Sequence, residues 1–157
     1  MSLDDILALS DTEFNRIYKE RLYKLREDIS KIKARFKKKN KSLSANKKLI
    51  ISMIDGSKNS VIIYENGIRA QFSKGCRKHG LKHILLRHFC EECEGKISAM
   101  DIISIERFFK DGNEHHASDN KRVYNYEKNS DEKFRLLTFK DINLEGILSV
   151  YRLDRHS

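Results

Sequence analysis

The chain reads as an α+β domain: an N-terminal helical arm, then helices packed on one face of an antiparallel sheet. Three observations lead there. An apolar seam at spacings of three and four runs through Tyr18, Leu22, Leu25, Ile29, Ile32 and Phe36, which is helical periodicity. The segment Ser60–Ser73 carries β-branched and aromatic residues on both sides of Asn66-Gly67, the pair that supplies two positive-φ positions to a tight hairpin. The last third holds three short β-prone runs separated by polar turns, and successive strands joined in that way pair antiparallel.

Each element has its own signal. Ser10-Asp11-Thr12-Glu13 has the spacing of a capping box, and opens a helix of about seven turns whose seam Phe14 and Ile17 extend. That seam packs on the body of the chain, on a second copy, or on a partner. The run Lys37–Lys48 breaks the pattern and marks a boundary, dividing the chain into a basic arm (1–48) and a globular part (49–157). The hairpin follows. A helix is expected over Lys74–Phe89; Gly80 weakens it by about 1 kcal/mol without ending it. Ser98-Ala99-Met100-Asp101 starts a further helix through Phe109, closed by Asp111-Gly112. Val123–Tyr126, Phe134–Phe139 and Ile147–Arg152 are the tail strands.

Composition narrows the class. The 157 residues carry a formal charge of +9, unevenly placed. Residues 1–48 hold 14 basic and 7 acidic side chains, the remainder 18 and 16, and nine basic residues with no acid lie between Lys31 and Lys48. Such a run is either a solvated face or a polyanion contact. No apolar stretch approaches the length of a membrane span, and the acidic start MSLDDILALSD is unlike a signal peptide. Three cysteines, Cys76, Cys90 and Cys93, argue against a disulfide framework and for a reducing, cytoplasmic setting, with Cys90 and Cys93 as free thiols.

Lys78–His88 is the segment richest in chemistry. It holds three of the six histidines among two lysines, an arginine and aliphatics. Histidine both takes and gives a proton near neutrality, and fixed cations beside it suit a phosphodiester. On a helix, Leu81, Ile84 and Leu85 share a face with His88, while His79, His83 and Arg87 form a separate stripe flanked by Lys78 and Lys82. His88 also fits a hydrogen-bonded core histidine, and His79 and His83 fit a polar face. The same region brings Cys76, His79, His83, His88, Cys90 and Cys93 within eighteen residues. Yet the H-x-E and P-C-x-x-C elements of a zinc deaminase are absent, and no second CxxC follows. No metal site is expected.

The stretch Gly80-Leu81-Lys82-His83-Ile84-Leu85-Leu86-Arg87-His88, followed by a helix and a strand meander ending in Leu148-Ser149-Val150-Tyr151, resembles the barnase–EndoU–colicin–RelE superfamily of ribonucleases, in its phage-associated and polymorphic-toxin branches. The resemblance covers about residues 60–155. It rests on the Lys82-His83 helix motif and on a hydroxyl residue followed two positions later by an aromatic on the last strand. Ser149 stands where that branch usually carries threonine.

The resemblance implies a four-stranded sheet and RNA cleavage without metal or other cofactor. It implies a catalytic set of Lys82 and His83, with His88 as a second candidate, and Ser149 and Tyr151, and leaves open which histidine is the base; His79, Arg87 and Arg152, cationic or imidazole side chains beside these, are expected as substrate contacts. The expected partners are RNA, transfer RNA included, and an acidic inhibitor or immunity protein of the kind that accompanies toxins. A homodimer through residues 14–36 is a further expectation; a membrane partner is not. The competing reading is a non-catalytic α+β module that binds nucleic acid or docks a partner.

Overall fold

The computed structural model describes residues 1–153. Six helices precede or interrupt six strands: α1 (Leu3–Ala8), α2 (Asp11–Lys38), α3 (Ala45–Asp55), β1 (Ser60–Glu65), β2 (Ile68–Ser73), α4 (Gly80–His88), α5 (Ala99–Ile103), α6 (Glu106–Asp111), β3 (Asn113–His116), β4 (Lys121–Asn129), β5 (Glu132–Lys140) and β6 (Glu145–Arg152). The class is α+β. The strands form one sheet in the order β1-β2-β6-β5-β4-β3, so six strands stand where about four were expected. The sheet is also mixed: the β1–β2 hairpin joins the tail meander through a parallel contact of Ala70 and Gln71 with Glu145 and Gly146. All other pairings are antiparallel. The extra tail strand, β3, is Asn113–His116, a fully exposed edge with no apolar alternation to announce it.

The long helix forms because its seam has somewhere to go. Leu22, Leu25, Ile29 and Ile32 are buried in the same core as Ile50, Ile54, Phe72, Ile84, Phe108, Leu136 and Val150. The seam is therefore covered within the chain, and α2 is a wall of the body. Ser10 caps it by accepting from the Glu13 amide, while the Glu13 carboxylate turns to Arg16 rather than back to the cap. The division expected at residues 48/49 falls inside α3, whose N-cap is Ser44. Lysine-rich composition hid that helix; Ile50, Ile51, Met53 and Ile54 bury it.

Asn66 and Gly67 both take positive φ, +52° and +77°, and close the hairpin as expected. The histidine-bearing helix is shorter than Lys74–Phe89. Gly80 is its first residue, at φ +79°, a left-handed entry that no preceding helical turn can feed. The helix expected through Phe109 breaks at Ser104-Ile105 into α5 and α6; its start is a full Ser98–Asp101 capping box.

The core face of the sheet carries Val61, Ile63, Ala70, Phe72, Tyr124, Phe134, Leu136, Ile147 and Val150, and the helices cover it. A smaller cluster of Ile6, Phe14 and Leu86 seats α1 on α2 and α4. The opposite face of the sheet carries the alternate residues, among them Lys121, Val123 and Asn125 on β4 and Arg135, Leu137 and Phe139 on β5. No helix among the described residues is long and apolar enough to cross a membrane.

One expectation is overturned outright. Cys90 and Cys93 are not free thiols: they form a disulfide, with Cα atoms 5.2 Å apart. An odd cysteine count excludes a complete pairing, not a single local one. Cys76 alone is free, and it is exposed.

Candidate active site

The end of α4, the loop after it and the outer face of β5 and β6 enclose a hollow of about 550 Å³. His83, Arg87 and His88 line it from α4; Ser149, Tyr151 and Arg152 line it from β6; Lys78, Lys121, Arg135 and Leu137 complete the wall. Six of the eight residues named from the sequence thus meet around one space.

Backbone carbonyls set both imidazoles. His83 Nδ1 lies 2.9 Å from the Arg77 carbonyl oxygen and His88 Nδ1 lies 2.8 Å from that of Glu94. A carbonyl only accepts, so Nδ1 carries the proton in each ring and Nε2 keeps its lone pair. The Arg77 carbonyl is itself well held, because the Arg77 side chain bonds the Ile6 and Leu9 carbonyls and Asp11 of α1–α2. The two rings are edge to face with centroids 6.3 Å apart.

Both rings are buried, His83 at 3% and His88 at 5% exposure. Burial holds His83 below the ordinary imidazole value, and the charges of Arg87 and His79 push the same way; the bond to the Arg77 carbonyl opposes them. Burial pushes His88 down to about 4, again with Arg87 adding to the effect. At neutral pH both are uncharged and basic at Nε2.

β6 reaches the hollow through an irregularity. Leu137 pairs with Ser149 but Thr138 pairs with Ile147, so Leu148 is left over. A bulge of this kind bends its strand and re-aims side chains. Ser149 and Tyr151 share a face as alternation predicts, and Val150 points to the core. Leu148, expected beside Val150, instead lines the hollow. The Ser149 hydroxyl is buried there with no hydrogen-bond partner among the described residues. A buried hydroxyl without a partner costs stability, so its place in the wall of the hollow calls for an explanation.

Charge in the hollow is one-sided. Lys78, Arg87, Lys121, Arg135 and Arg152 line it against a single carboxylate residue, Glu94. None of those five cations makes an ion pair among the described residues. Arg135 is steadied by Asn125 Oδ1 at 3.0 Å.

Two expected residues lie elsewhere. Lys82 turns to α2 and sits 5.4 Å over the Tyr18 ring. His79 is the extended N-cap residue of α4, outside the helix, so the His79–His83–Arg87 stripe does not form. Two functional candidates were missed. Arg135 was legible from period-two alternation, since it lies between Phe134 and Leu136 on a recognised strand. Lys121 depends on a cross-strand register that no local pattern reveals; Lys78, singled out as a cation beside the histidines, reaches the hollow from the loop before α4.

The cysteine–histidine cluster does not assemble as a ligand set. Its CxxC is spent on the disulfide, and no group of three or more His, Cys, Asp or Glu among the described residues is placed to hold a metal. The Lys31–Lys48 run lies far from the hollow, since α2 touches α4 through Arg21 and Lys38 is about 25 Å further along the helix. Part of that run is neutralised, Lys33 by Asp55 and Lys47 by Glu106.

No protein-family model, curated protein or solved structure matches this chain.

Proposed function

We propose that the protein is an endoribonuclease that cleaves RNA by attack of the ribose 2′-hydroxyl, in the manner of the barnase–EndoU–colicin–RelE superfamily. The observation that carries this reading is the meeting around one hollow of two neutral imidazoles, a serine hydroxyl and five cations, the hydroxyl without a hydrogen-bond partner and the cations without an ion pair among the described residues.

His83 Nε2 takes the proton of the 2′-hydroxyl, and the 2′-oxygen attacks the adjacent phosphorus. Arg87, Arg135 and Lys121 offset charge on the non-bridging oxygens, and Ser149 and Tyr151 donate hydrogen bonds to them. The bond from phosphorus to the 5′-oxygen breaks. His88, protonated once the phosphate anion is bound, gives its proton to that oxygen. The products are a 2′,3′-cyclic phosphate and a 5′-hydroxyl; His83 leaves the step charged and His88 neutral. Lys82 has no part in it. The cations, which make no ion pair among the described residues, suit an acidic inhibitor protein that plugs the hollow, as for a toxin.

The test is incubation of a mixed-sequence RNA and its DNA counterpart with the full chain in excess EDTA. RNA cleavage with cyclic-phosphate ends and inert DNA is expected, with His83→Ala and His88→Ala each losing on the order of 10²- to 10⁴-fold in rate. Absence of RNA cleavage, or equal cleavage of DNA, rejects the proposal.

One observation favours a second reading, a nucleic-acid binder without turnover: His88 is held near 4 and is a poor proton donor at neutrality. That reading requires binding with steep salt dependence and no cleavage at any pH from acid to neutral.

A further inference from the structure

We propose that the open face of the sheet beyond the hollow is a track for single-stranded RNA, with Phe139 and Tyr64 as base-stacking platforms. This rests on the nuclease reading and extends it to a substrate class.

The face is built by register. Ile62 pairs with Gln71, Gln71 with Gly146, Gly146 with Phe139 and Phe139 with Lys121. These five positions form one row across five strands, on the side away from the helices. Lys121 lines the catalytic hollow, so the row starts at the site. Leu137, another lining residue, is two positions from Phe139 on β5, about 7 Å away. Gly146 raises no side chain beside Phe139, and the space a Cβ would occupy meets only the Phe139 carbonyl oxygen, at 3.8 Å. The Phe139 ring therefore has an open flank toward β2 and β1.

The apolar side chains of this face are not covered. In the row Phe139 is 45% and Ile62 42% exposed, and Tyr64, two positions along β1 from Ile62 and so on the same face, is 62% exposed. From β5 to β1 the row spans three inter-strand steps, about 14 Å. Tyr64 faces Arg69 across the hairpin. Together with Lys140 and Ile142 these two line a second hollow, of about 380 Å³. Ile142 is 90% exposed in the β5–β6 turn.

Charge decides the occupant. Lys121 and Arg69 stand along this path and Lys140 at its edge, with no ion pair among the described residues, against Asp141 in the turn and Glu145, which is buried and held by Tyr124 and Thr138. Exposed aromatics interleaved with unpaired cations suit a chain of stacked bases on a phosphate backbone. A duplex hides its base faces and gains nothing from the rings. A scissile phosphate in the first hollow places the neighbouring nucleotides over Phe139 and those beyond over Tyr64.

The experiment uses the full chain and a fluorescent single-stranded 2′-O-methyl RNA about 12 nucleotides long, which cannot be cleaved. Binding is read by anisotropy for wild type, Phe139→Ala, Tyr64→Ala and Phe139→Tyr. Each alanine is expected to weaken binding about 5- to 150-fold, and Phe139→Tyr to retain it. Cleavage of a dinucleotide, too short to reach the rings, is expected to be unchanged in all three. Cleavage of unmodified RNA is read in parallel. Ring-dependent binding without any cleavage rejects the nuclease reading and keeps the track. Cleavage with binding indifferent to both alanines, or no oligonucleotide binding at all, overturns the track. Indifferent binding with self-association lost in Phe139→Ala, read by sedimentation, also overturns it and assigns the face to a second copy of the chain.

Discussion

His88 and Tyr151 lie nearly face to face, ring centroids 5.2 Å apart and planes 26° from parallel. The contact fastens the last residue of α4 to the last strand, and it is one reason the His88 ring is dry. A dry imidazole resists a charge, and this gives the first prediction. The unfolded chain protonates this histidine near the ordinary 6.5, the folded chain only near 4. Above the first value the ring is neutral in both states and nothing is lost. As pH falls through the window between them, the unfolded state gains a proton that the folded state refuses. Stability is expected to drop by on the order of 3 kcal/mol. Carboxylates titrate in the same range, so the readout is the difference between wild type and His88→Phe in urea unfolding at pH 7 and pH 4. A gap that does not change between the two pH values contradicts the assignment.

The rate has its own pH signature. If His83 is the base and His88 the acid, kcat/KM requires one ring neutral and the other protonated in the free enzyme. Both values lie below the ordinary one, His88 near 4. The expected profile is a bell with its top on the acid side of neutrality. A plateau from pH 7 upward would remove His88 as the donor. Product release does not enter kcat/KM, so the profile reports the free enzyme's two groups.

Ser149 separates folding from function. Its hydroxyl is buried and without a partner among the described residues, a state that costs about 1–3 kcal/mol. Ser149→Ala removes the unsatisfied group and leaves the β6 backbone intact. The melting temperature is expected to rise or stay level while kcat falls by about 10- to 150-fold, the worth of one hydrogen bond to a charged oxygen. Loss of both stability and activity would mean that the hydroxyl is structural.

How much of this was legible in the sequence depends on the range over which each feature is encoded. Capping at Ser10 and Ser98, the Asn66-Gly67 turn and the period-two runs of β5 and β6 are written within a few residues, and each was read. The parallel seam of Ala70 with Glu145 joins positions 75 apart and has no local trace. Strand β3 forms because β4 offers an unpaired edge, not because Asn113–His116 favours extension. His83 and Ser149 were named from the motif, yet their roles depend on facts no motif carries. One is the carbonyl that fixes the His83 tautomer; the other is the bulge at Leu148 that turns Ser149 inward. Lys82 shows the reverse error: adjacent to His83 in sequence, it leaves on another side of α4 because Tyr18 provides a ring for it.

Gly95 holds the hollow's back wall. It sits at φ +60°, and its carbonyl accepts from the Arg152 amide at 3.0 Å. A Cβ there would stand 3.0 Å from Tyr151 Cβ, 3.1 Å from the Arg152 carbonyl oxygen and 3.1 Å from His88 Nδ1. Only glycine lets the loop pass so close while Glu94 presents its carbonyl to His88. Gly95→Ala adds backbone strain to three tight contacts, and a loss of about 1–3 kcal/mol is expected. Activity should fall further than stability alone explains, because the same atoms orient His88. Circular dichroism melts beside cleavage assays below the melting temperature separate the two effects.

Leu25 tests whether α2 is arm or wall. It is fully buried and packs in the core shared by the helices and both halves of the sheet. Asp at this position places a carboxylate among the aliphatics of a seam lined by Leu22, Ile29 and Ile32, while the Arg21 and Arg26 guanidiniums are engaged by the carbonyls of Leu85, Leu86 and Ile54. The cost of an unpaired buried charge is several kcal/mol, a large share of what a domain of this size possesses. Leu25→Asp is therefore expected to unfold the chain or leave it molten, with loss of the β-sheet signal as well as of helix. A detachable arm predicts something different: a folded 49–157 body, a sheet that melts normally, and only an altered association state. Far-ultraviolet circular dichroism and sedimentation of the one variant distinguish these outcomes. A folded monomeric Leu25→Asp protein would show that the body stands without the helix that covers it.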